Sequence, residues 1–370
     1  MFPWAAKKNS AIMFDVGTTS IRACQLSRRG QTLELRDHLQ LALRADDDND
    51  HAANPDCERL ARTLVQARFA GRGVGLVLTP PAVQFHTLEV PTGLLKNSED
   101  AIHKALAWEI ARETRTEAAQ WEVRYWPFPP GHRPGRNVMT VAISSPLVRE
   151  WVARFNRHGL HLCRVTASPC SLARVAACTC PPQEEDVWGV LDVGHRRSVL
   201  TVLVATRPVY VRVVAGGARD WVQRIARAFD TTPDEARQIM QQHGLRPARD
   251  ASEATGENPT PGNLSGVLFS TLRPALDDLV REINRCFLYV LESYPNLSVA
   301  RLFTAGGGSA LAGLTEYLEL QLDLPAQRLT CTPTPSAAAG PTLAVPSLPP
   351  ESAASLGGSL LDVEAPSCNR

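Results

Sequence analysis

The sequence predicts an α/β protein made of two like domains, the first interrupted by a small α+β insertion. Two observations carry this expectation. The segments Ile12-Met13-Phe14-Asp15-Val16-Gly17-Thr18-Thr19-Ser20 and Val190-Leu191-Asp192-Val193-Gly194-His195-Arg196-Arg197-Ser198 share a layout of apolar strand, Asp, Val, Gly and a return into a second strand, 177 residues apart. Each is followed by two further strands and then a helix, and an internal duplication of this kind implies two like domains facing a cleft. The second observation is the block 82–163, which runs strand, helix, strand, strand, helix, strand and so reads as a subdomain inserted into the first repeat.

Composition limits the function classes. The chain has 370 residues, 44% of them hydrophobic, enough apolar material for two or three cores. Lys plus Arg number 39 against 38 Asp plus Glu, a net charge of +1, which removes the electrostatic case for a dedicated nucleic-acid binder. The most apolar stretch, Ser198–Ala205, is far short of the ~20 residues that a membrane span needs. After Lys7 and Lys8 only Ala11–Phe14 precedes Asp15, too short a run for the apolar region of a signal peptide. Nine cysteines suit thiols in a reducing cytosol, and Cys163, Cys170, Cys178 and Cys180 lack zinc-site spacing.

The elements read in order as follows. Strands are expected at Ala11–Phe14, Ile21–Leu26 and Leu33–Leu41, then an acidic loop at Asp46–Asp50 and an amphipathic helix over Cys57–Phe69. Val74–Leu78 and Val83–Val90 are strand-like. A helix follows from Ser98, with Ile102, Leu106 and Ile110 on one face. Trp121–Trp126 and Val138–Ser144 read as strands and Leu147–Phe155 as a helix. The second repeat has strands at Val187–Leu191, Val199–Val204 and Val209–Val214. A later helix starts at Thr232-Pro233-Asp234-Glu235, where Thr and Glu form a capping box. Residues 246–263 read as a surface loop, Leu276–Leu291 as a long helix, Leu302–Thr304 as a strand and Leu311–Leu322 as a helix. The domain reading is 1–81 with 164–186 for the first domain, 82–163 for the insertion and 187–331 for the second domain. A disordered Pro/Ala-rich segment is expected at 332–351 and a closing helix at 352–361.

The duplicated turn has definite chemistry. Glycine lets a backbone approach a phosphate closely, and a tight hairpin aims consecutive N–H groups at its oxygens. Thr18, Thr19 and Ser20 add hydroxyls, and Arg22 is placed to pair with a terminal phosphate. Asp15 and Asp192, at strand ends, suit Mg²⁺ held through water. Two further glycine loops, Gly216-Gly217 opening a helix and Gly306-Gly307-Gly308 between strand and helix, read as nucleoside contacts, with helix N–H groups open to a ribose or phosphate.

This arrangement resembles the actin-like ATPase superfamily, a duplicated RNase H-like fold, and within it the PilM family of type IV pilus assembly proteins. The related cytoplasmic part of a type II secretion platform protein is similar. The resemblance runs from Met1-Phe2 to about Leu324, with Trp108-Glu109 on the insertion helix, the Gly159-Leu160 junction and Leu356-Gly357 in the closing helix. It implies an actin-like two-domain fold binding ATP, with Mg, between its halves. Asp15, Gly17, Thr18, Thr19 and Arg22 would match the first phosphate loop, Asp192 and Gly194 the second, and Gly217 and Gly306–Gly308 the nucleoside loops. It also implies a cytoplasmic scaffold, peripheral at the inner membrane face, that binds the cytoplasmic tail of a single-span membrane partner beside the insertion.

Two departures bear on activity. His195-Arg196-Arg197 replaces small residues in the second loop, and Val165-Thr166-Ala167-Ser168-Pro169 lacks the carboxylates that relatives place there. A weak ATPase at most, or a non-hydrolysing scaffold, is expected, because orienting a water for phosphoryl transfer needs such a group. The alternatives within the superfamily are a sugar-type small-molecule kinase and a cell-division-type filament protein; for the first, no acid beyond the two loop aspartates stands out as a base. The Arg219, Arg224 and Arg227 face is expected to be solvated.

Overall fold

The computed structural model describes residues 9–30, 32–43, 57–91, 93, 98–181, 186–245, 264–330, 342–345 and 348–364. Lys7-Lys8, the acidic run Asp46–Asp50, the loop 246–263 and residues 332–341 lie outside the described residues. The chain divides into two compact units: Met1–Glu184 with Leu203–Tyr210 and Thr330–Arg370, and Glu185–Val202 with Val211–Leu329.

The first unit is built on β1 (Ile12–Val16), β2 (Ser20–Arg29), β3 (Thr32–Ala42), β4 (Gly73–Leu78), β8 (His161–Ala167) and β14 (Thr342–Ala344), in the order β14-β3-β2-β1-β4-β8. The strand β1 is central and all five of its residues are buried, as a strand covered on both faces requires. Its alternation divides the core. Ile12 and Phe14 pack with Leu60 of α1 (Cys57–Gln66) and with Trp151 and Phe155 of α3 (Ser145–Arg157). Met13 faces α9 (Ala353–Glu364), where a Cβ on Gly358 would lie 3.0 Å from the Met13 Cε.

Helix α9 packs on α4 (Ser168–Thr179) so closely that a Cβ on Gly357 would meet the Ser171 carbonyl at 2.0 Å. Its polar anchors are buried. Asp362 is fully buried; its Oδ2 accepts the Ala11 N–H at 2.7 Å and its Oδ1 accepts Arg164 Nε at 2.9 Å. Ser359 Oγ donates to the Cys24 carbonyl at 2.9 Å. The last helix is thereby tied to the start of β1, to β2 and to β8.

The small sheet has β5 (Gln84–Leu88), β6 (Trp121–Pro127) and β7 (Val138–Ser144) in the antiparallel order β5-β7-β6. Helix α2 (Glu99–Thr114) covers it with the expected Ile102, Leu106 and Ile110, all buried with Leu88, Val123 and Val138. Ser98 caps α2 by accepting the Ala101 N–H at 3.4 Å. One boundary shifts: β8 starts inside the block 82–163 yet pairs with β4 in the large sheet, and α3 contributes to the large sheet's core. The element order was readable, but strand partnership is a long-range choice that the order leaves open.

The second unit carries β9 (Asp186–Val193), β12 (Ser298–Ala305) and β13 (Ala326–Arg328) with the greater part of β10 (Arg197–Val204) and β11 (Arg207–Ala215), whose stretch Leu203–Tyr210 falls in the first unit; the strand order is β11-β10-β9-β12-β13. This repeats β3-β2-β1-β4-β8 strand for strand. Its helices are α5 (Ala218–Phe229), α6 (Pro233–His243), α7 (Leu264–Ser293) and α8 (Leu314–Leu322). Helix α7 starts at Leu264 instead of Leu276 and runs through Pro274, a residue that lacks the N–H and crowds the preceding turn. Leu268 and Leu272, both fully buried, extend the apolar stripe and outweigh that cost. Helix α8 starts at Leu314 instead of Leu311, because Gly307–Ala310 form a 3₁₀ turn and Gly313 stands at φ +85° before the helix.

The segment 332–351 also departs from expectation. Within it, β14 pairs parallel to β3, with Thr342 opposite Thr32, and Pro350–Ser352 form a 3₁₀ turn that leads into α9. That helix ends at Glu364, three residues beyond the expected Leu361. Asp362→Ala, which strands the Ala11 N–H and the Arg164 guanidinium, is expected to lower stability by about 3–5 kcal/mol. The midpoint of urea unfolding at constant slope measures it; a loss below about 1 kcal/mol would mean that packing alone holds α9.

Candidate functional site

In the first unit, β1 and β2 are joined by a turn closed by one hydrogen bond, the Gly17 N–H donating to the Ser20 carbonyl at 3.0 Å. A Cβ on Gly17 would stand 3.0 Å from that carbonyl and 3.8 Å from Arg22 Nη1, so a side chain there would push the turn apart. Thr18 is half-buried and Thr19 exposed at the tip, and the backbone N–H groups of both make no hydrogen bond among the described residues. The Thr19 carbonyl accepts the Leu43 N–H at 2.8 Å, which ties the tip to the end of β3. Ser20 is buried and opens β2.

Asp15 and Arg22 are directly opposed across the β1–β2 ladder. Arg22 Nη1 donates to Asp15 Oδ2 at 3.5 Å, with both side chains almost buried. Burial pushes the Asp15 carboxyl above its ordinary range, and the adjacent Arg22 charge and hydrogen bond oppose this without cancelling it. Arg22 Nε is buried with no partner among the described residues, so the guanidinium keeps donor capacity that the protein does not use. Asp15, Gly17, Thr18, Thr19, Ser20 and Arg22 are thus gathered at one hairpin.

The second unit repeats this turn: the Gly194 N–H donates to the Arg197 carbonyl at 3.1 Å. A Cβ on Gly194 would lie 2.7 Å from that carbonyl. The N-terminus of α5 is laid directly on the turn. The Ala218 N–H donates to the Gly194 carbonyl at 3.0 Å and the Arg219 N–H to the His195 carbonyl at 2.8 Å. Gly217 is wedged so tightly that a Cβ would meet the His195 carbonyl at 2.6 Å and the Arg197 nitrogen at 2.7 Å. Ser198 Oγ donates to the Gly216 carbonyl at 3.1 Å, and Asp220 Oδ2 accepts the Gly217 N–H at 3.1 Å.

This corrects one expectation. The first N–H groups of α5 are spent on the β9–β10 turn and on Asp220 instead of being open to a ligand. Gly216 and Gly217 serve close approach of the backbone here. The third glycine group also leans on β9: a Cβ on Gly306 would meet Asp192 Oδ1 at 2.3 Å, and one on Gly308 the Val193 Cγ1 at 2.3 Å. Gly307 is exposed, with nothing near its missing side chain. Asp192, Gly194, Gly216, Gly217 and Gly306–Gly308 therefore converge at the β9 end of the second sheet.

The sequence places Arg196 and Arg197 next to His195; the influence of Arg219 and Arg237 on it was not foreseen. Burial first, and then the Arg219, Arg237 and Arg196 charges, hold its pKa below the ordinary imidazole value, while Asp220 acts in the other direction. Arg219, Arg224 and Arg227 are exposed, as expected of a solvated face, and from there Arg219 acts on His195. The Asp220 role was legible as a carboxylate three residues after a helix-opening glycine. Among the described residues, no group of three or more His, Cys, Asp or Glu side chains is placed to hold a metal ion.

With this geometry established, comparison with known proteins places the chain. A family model described as type IV pilus assembly protein PilM matches residues 130–332, more than half of the sequence. The chain belongs to the PilM family. A structure described as a PilM–PilN type IV pilus biogenesis complex is 20% identical, covers 98% of this chain and 100% of its own, and superposes with a TM-score of 0.73. The fold of this PilM-family chain is accordingly actin-like. More distant are the ethanolamine utilization protein EutJ from Carboxydothermus hydrogenoformans (12% identity, 97% and 91% coverage, TM-score 0.48) and MreB5 of Spiroplasma citri bound to ADP (11%, 96% and 96%, 0.47).

The raised pKa of Asp15 has a sign that can be tested. Stability from the neutral carboxyl is complete below the ordinary carboxylate range and is lost as pH rises through the raised value. Asp15→Asn, which keeps the shape without the charge, is expected to melt above the wild type at pH 7 and to lose that margin as pH falls toward ~4. A lower Tm than wild type at both pH values would show that the Arg22 pairing outweighs burial.

Proposed function

We propose that this PilM-family protein is a scaffold of the type IV pilus assembly platform. In this reading it binds a magnesium nucleotide through its two glycine turns and the cytoplasmic tail of a single-span membrane partner through the inserted subdomain. The observation that carries the nucleotide reading is the duplicated turn: an Asp two residues before a Gly whose N–H closes onto the carbonyl three residues on, at Gly17 and again at Gly194. The open N–H groups of Thr18 and Thr19 and the underused Arg22 guanidinium suit phosphate oxygens. Asp15 and Asp192 supply the hard oxygen donors that Mg²⁺ accepts, acting through water, and the ion would offset phosphate charge. The exposed Gly307 leaves room for a nucleoside beside Asp192.

Turnover is expected to be slow or absent. Helix α4 opens at Ser168 after Ala167, and no carboxylate stands from Val165 to Ser171 to orient a water. The protein's contribution is then binding and positioning.

The partner reading rests on the family and on α2. The matched PilM is described in complex with PilN. Of the tryptophans on α2 and β6, Trp121 donates its ring N–H to Thr116 Oγ1 and Trp126 to the Pro208 carbonyl. Trp108 instead is 71% exposed on α2, an aromatic anchor of the kind that dominates peptide interfaces. Among the described residues no helix is long and apolar enough to cross a membrane, and the partner would supply attachment to the inner face.

Equilibrium titration of Mg·ATP is expected to show saturable binding in the wild type and at least a tenfold loss (about 1.4 kcal/mol) in Asp15→Ala; no binding by the wild type would overturn the nucleotide reading. A peptide of the partner's cytoplasmic tail is expected to bind the wild type about tenfold more tightly than Trp108→Ala, with unchanged circular dichroism. Equal affinity would remove α2 from the interface.

A further inference from the structure

A basic surface lies at the end of the first unit's sheet away from the Gly17 turn. Strands β1, β4 and β8 run parallel, so the turn that follows β1 is at one end and the starts of β4 and β8 are at the other. That other end brings together Arg36 of β3, Arg68 and Arg72 of the loop between α1 and β4, Arg157 closing α3, His158 after it and His161 opening β8, all of them exposed. Hydrogen bonds join these segments. Arg36 Nε donates to the Arg68 carbonyl at 3.1 Å, Arg72 Nη1 to the Gly159 carbonyl at 3.4 Å, and the His161 N–H to the Arg72 carbonyl at 2.9 Å. The loop is pinned to β2 by buried Gln25, whose Nε2 donates to the Ala70 carbonyl at 2.9 Å and whose Oε1 accepts the Ala70 N–H at 2.8 Å. The facing carboxylate is Asp37 on β3, and its Oδ2 accepts the Arg68 backbone N–H at 2.6 Å. Glu34 pairs with Arg29 and Glu150 with Arg154. Among the described residues, Arg36, Arg68, Arg72 and Arg157 make no ion pair with a carboxylate.

We propose that this surface binds the anionic headgroups of a phospholipid membrane, so that the protein touches the bilayer directly as well as through a partner. The inference goes beyond the scaffold reading and does not depend on it. Four guanidiniums against one facing carboxylate leave a local excess of positive charge on a chain whose net charge is +1. Such an asymmetry turns one end of a molecule toward a negative surface. The interaction fades within a Debye length, ~10 Å at 0.1 M salt, so only cations held at a common edge act together. The bonds from Arg36, Arg72 and Gln25 hold these segments at one edge. Each guanidinium can pair with a headgroup phosphate and contributes about fivefold to partitioning onto an anionic leaflet. Lipid is favoured over a protein partner by what the surface lacks. Peptide interfaces are held by large apolar anchors. The exposed large hydrophobic residues among those described are Trp108, Val213, Leu288, Tyr289 and Leu320, and none belongs to these segments.

The test is co-sedimentation of the full chain with vesicles of phosphatidylcholine containing about 30% phosphatidylglycerol, and with vesicles of phosphatidylcholine alone. The wild type is expected to pellet with the anionic vesicles at about 0.05 M salt, to be released at about 0.5 M, and to ignore the neutral ones. The variant Arg68→Gln/Arg72→Gln/Arg157→Gln is expected to lose at least tenfold in partitioning, with unchanged circular dichroism. A second triple variant, Arg133→Gln/Arg224→Gln/Arg227→Gln, removes the same charge from exposed sites elsewhere and is expected to bind like the wild type. Should the first variant fail to fold, Arg157→Gln alone, on the exposed last turn of α3, is expected to lose about fivefold. No sedimentation with anionic vesicles at low salt, equal binding to neutral ones, or the same loss in both triple variants overturns the inference. Tighter binding to duplex DNA than to vesicles at equal phosphate also overturns it and assigns the surface to nucleic acid. None of these outcomes bears on the Trp108→Ala titration, so the scaffold reading stands or falls separately.

Discussion

The structure depends on a steric constraint that is met twice. A strand must reverse within four residues while its glycine N–H reaches the carbonyl three residues on, and a Cβ at that glycine would stand 3.0 Å from the carbonyl in one unit and 2.7 Å in the other. Everything around the turn follows from that reversal. It places Asp15 opposite Arg22 in register, and it makes the platform on which the α5 N-terminus rests through the Gly194 and His195 carbonyls. Widening the turn by one side chain would disturb the ladder on one side and the helix seat on the other.

The two turns share a backbone and differ in charge logic. The first buries a carboxylate beside a guanidinium, and desolvation dominates, so the carboxyl is reluctant to ionise. At the second, burial and then the Arg219, Arg237 and Arg196 charges make the His195 ring reluctant to protonate. Both groups are held away from their ordinary ionisation, with opposite sign.

Much of the fold was legible because its signals are local. The Asp-x-Gly repeat, the Ser98 and Thr232 caps and the Ile102–Leu106–Ile110 stripe each lie within a few residues, and each landed where expected. What was not legible is long-range. The partner of β8, the pairing of β14 with β3 and the bond from Asp362 to Ala11 across 351 positions leave no local trace. The helix expected from Leu276 starts twelve residues earlier and runs through Pro274, whose local cost is outweighed by burial of Leu268 and Leu272. The influence of Arg219 and Arg237 on His195 escaped for the same reason as β14, since they come from two helices that the sequence separates from the turn.

The placement of α9 sets an order on how the chain can mature. The residues of the second unit, ending at Leu329, are all synthesised before α9, whereas the first unit needs that helix to cover β1, β2 and α4. A ribosome that has released residues 1–184 has therefore released an apolar sheet face with no lid. The half of the protein that begins first is finished last. During that interval the exposed face is the part of the molecule most open to chaperones and to misassembly with other nascent chains.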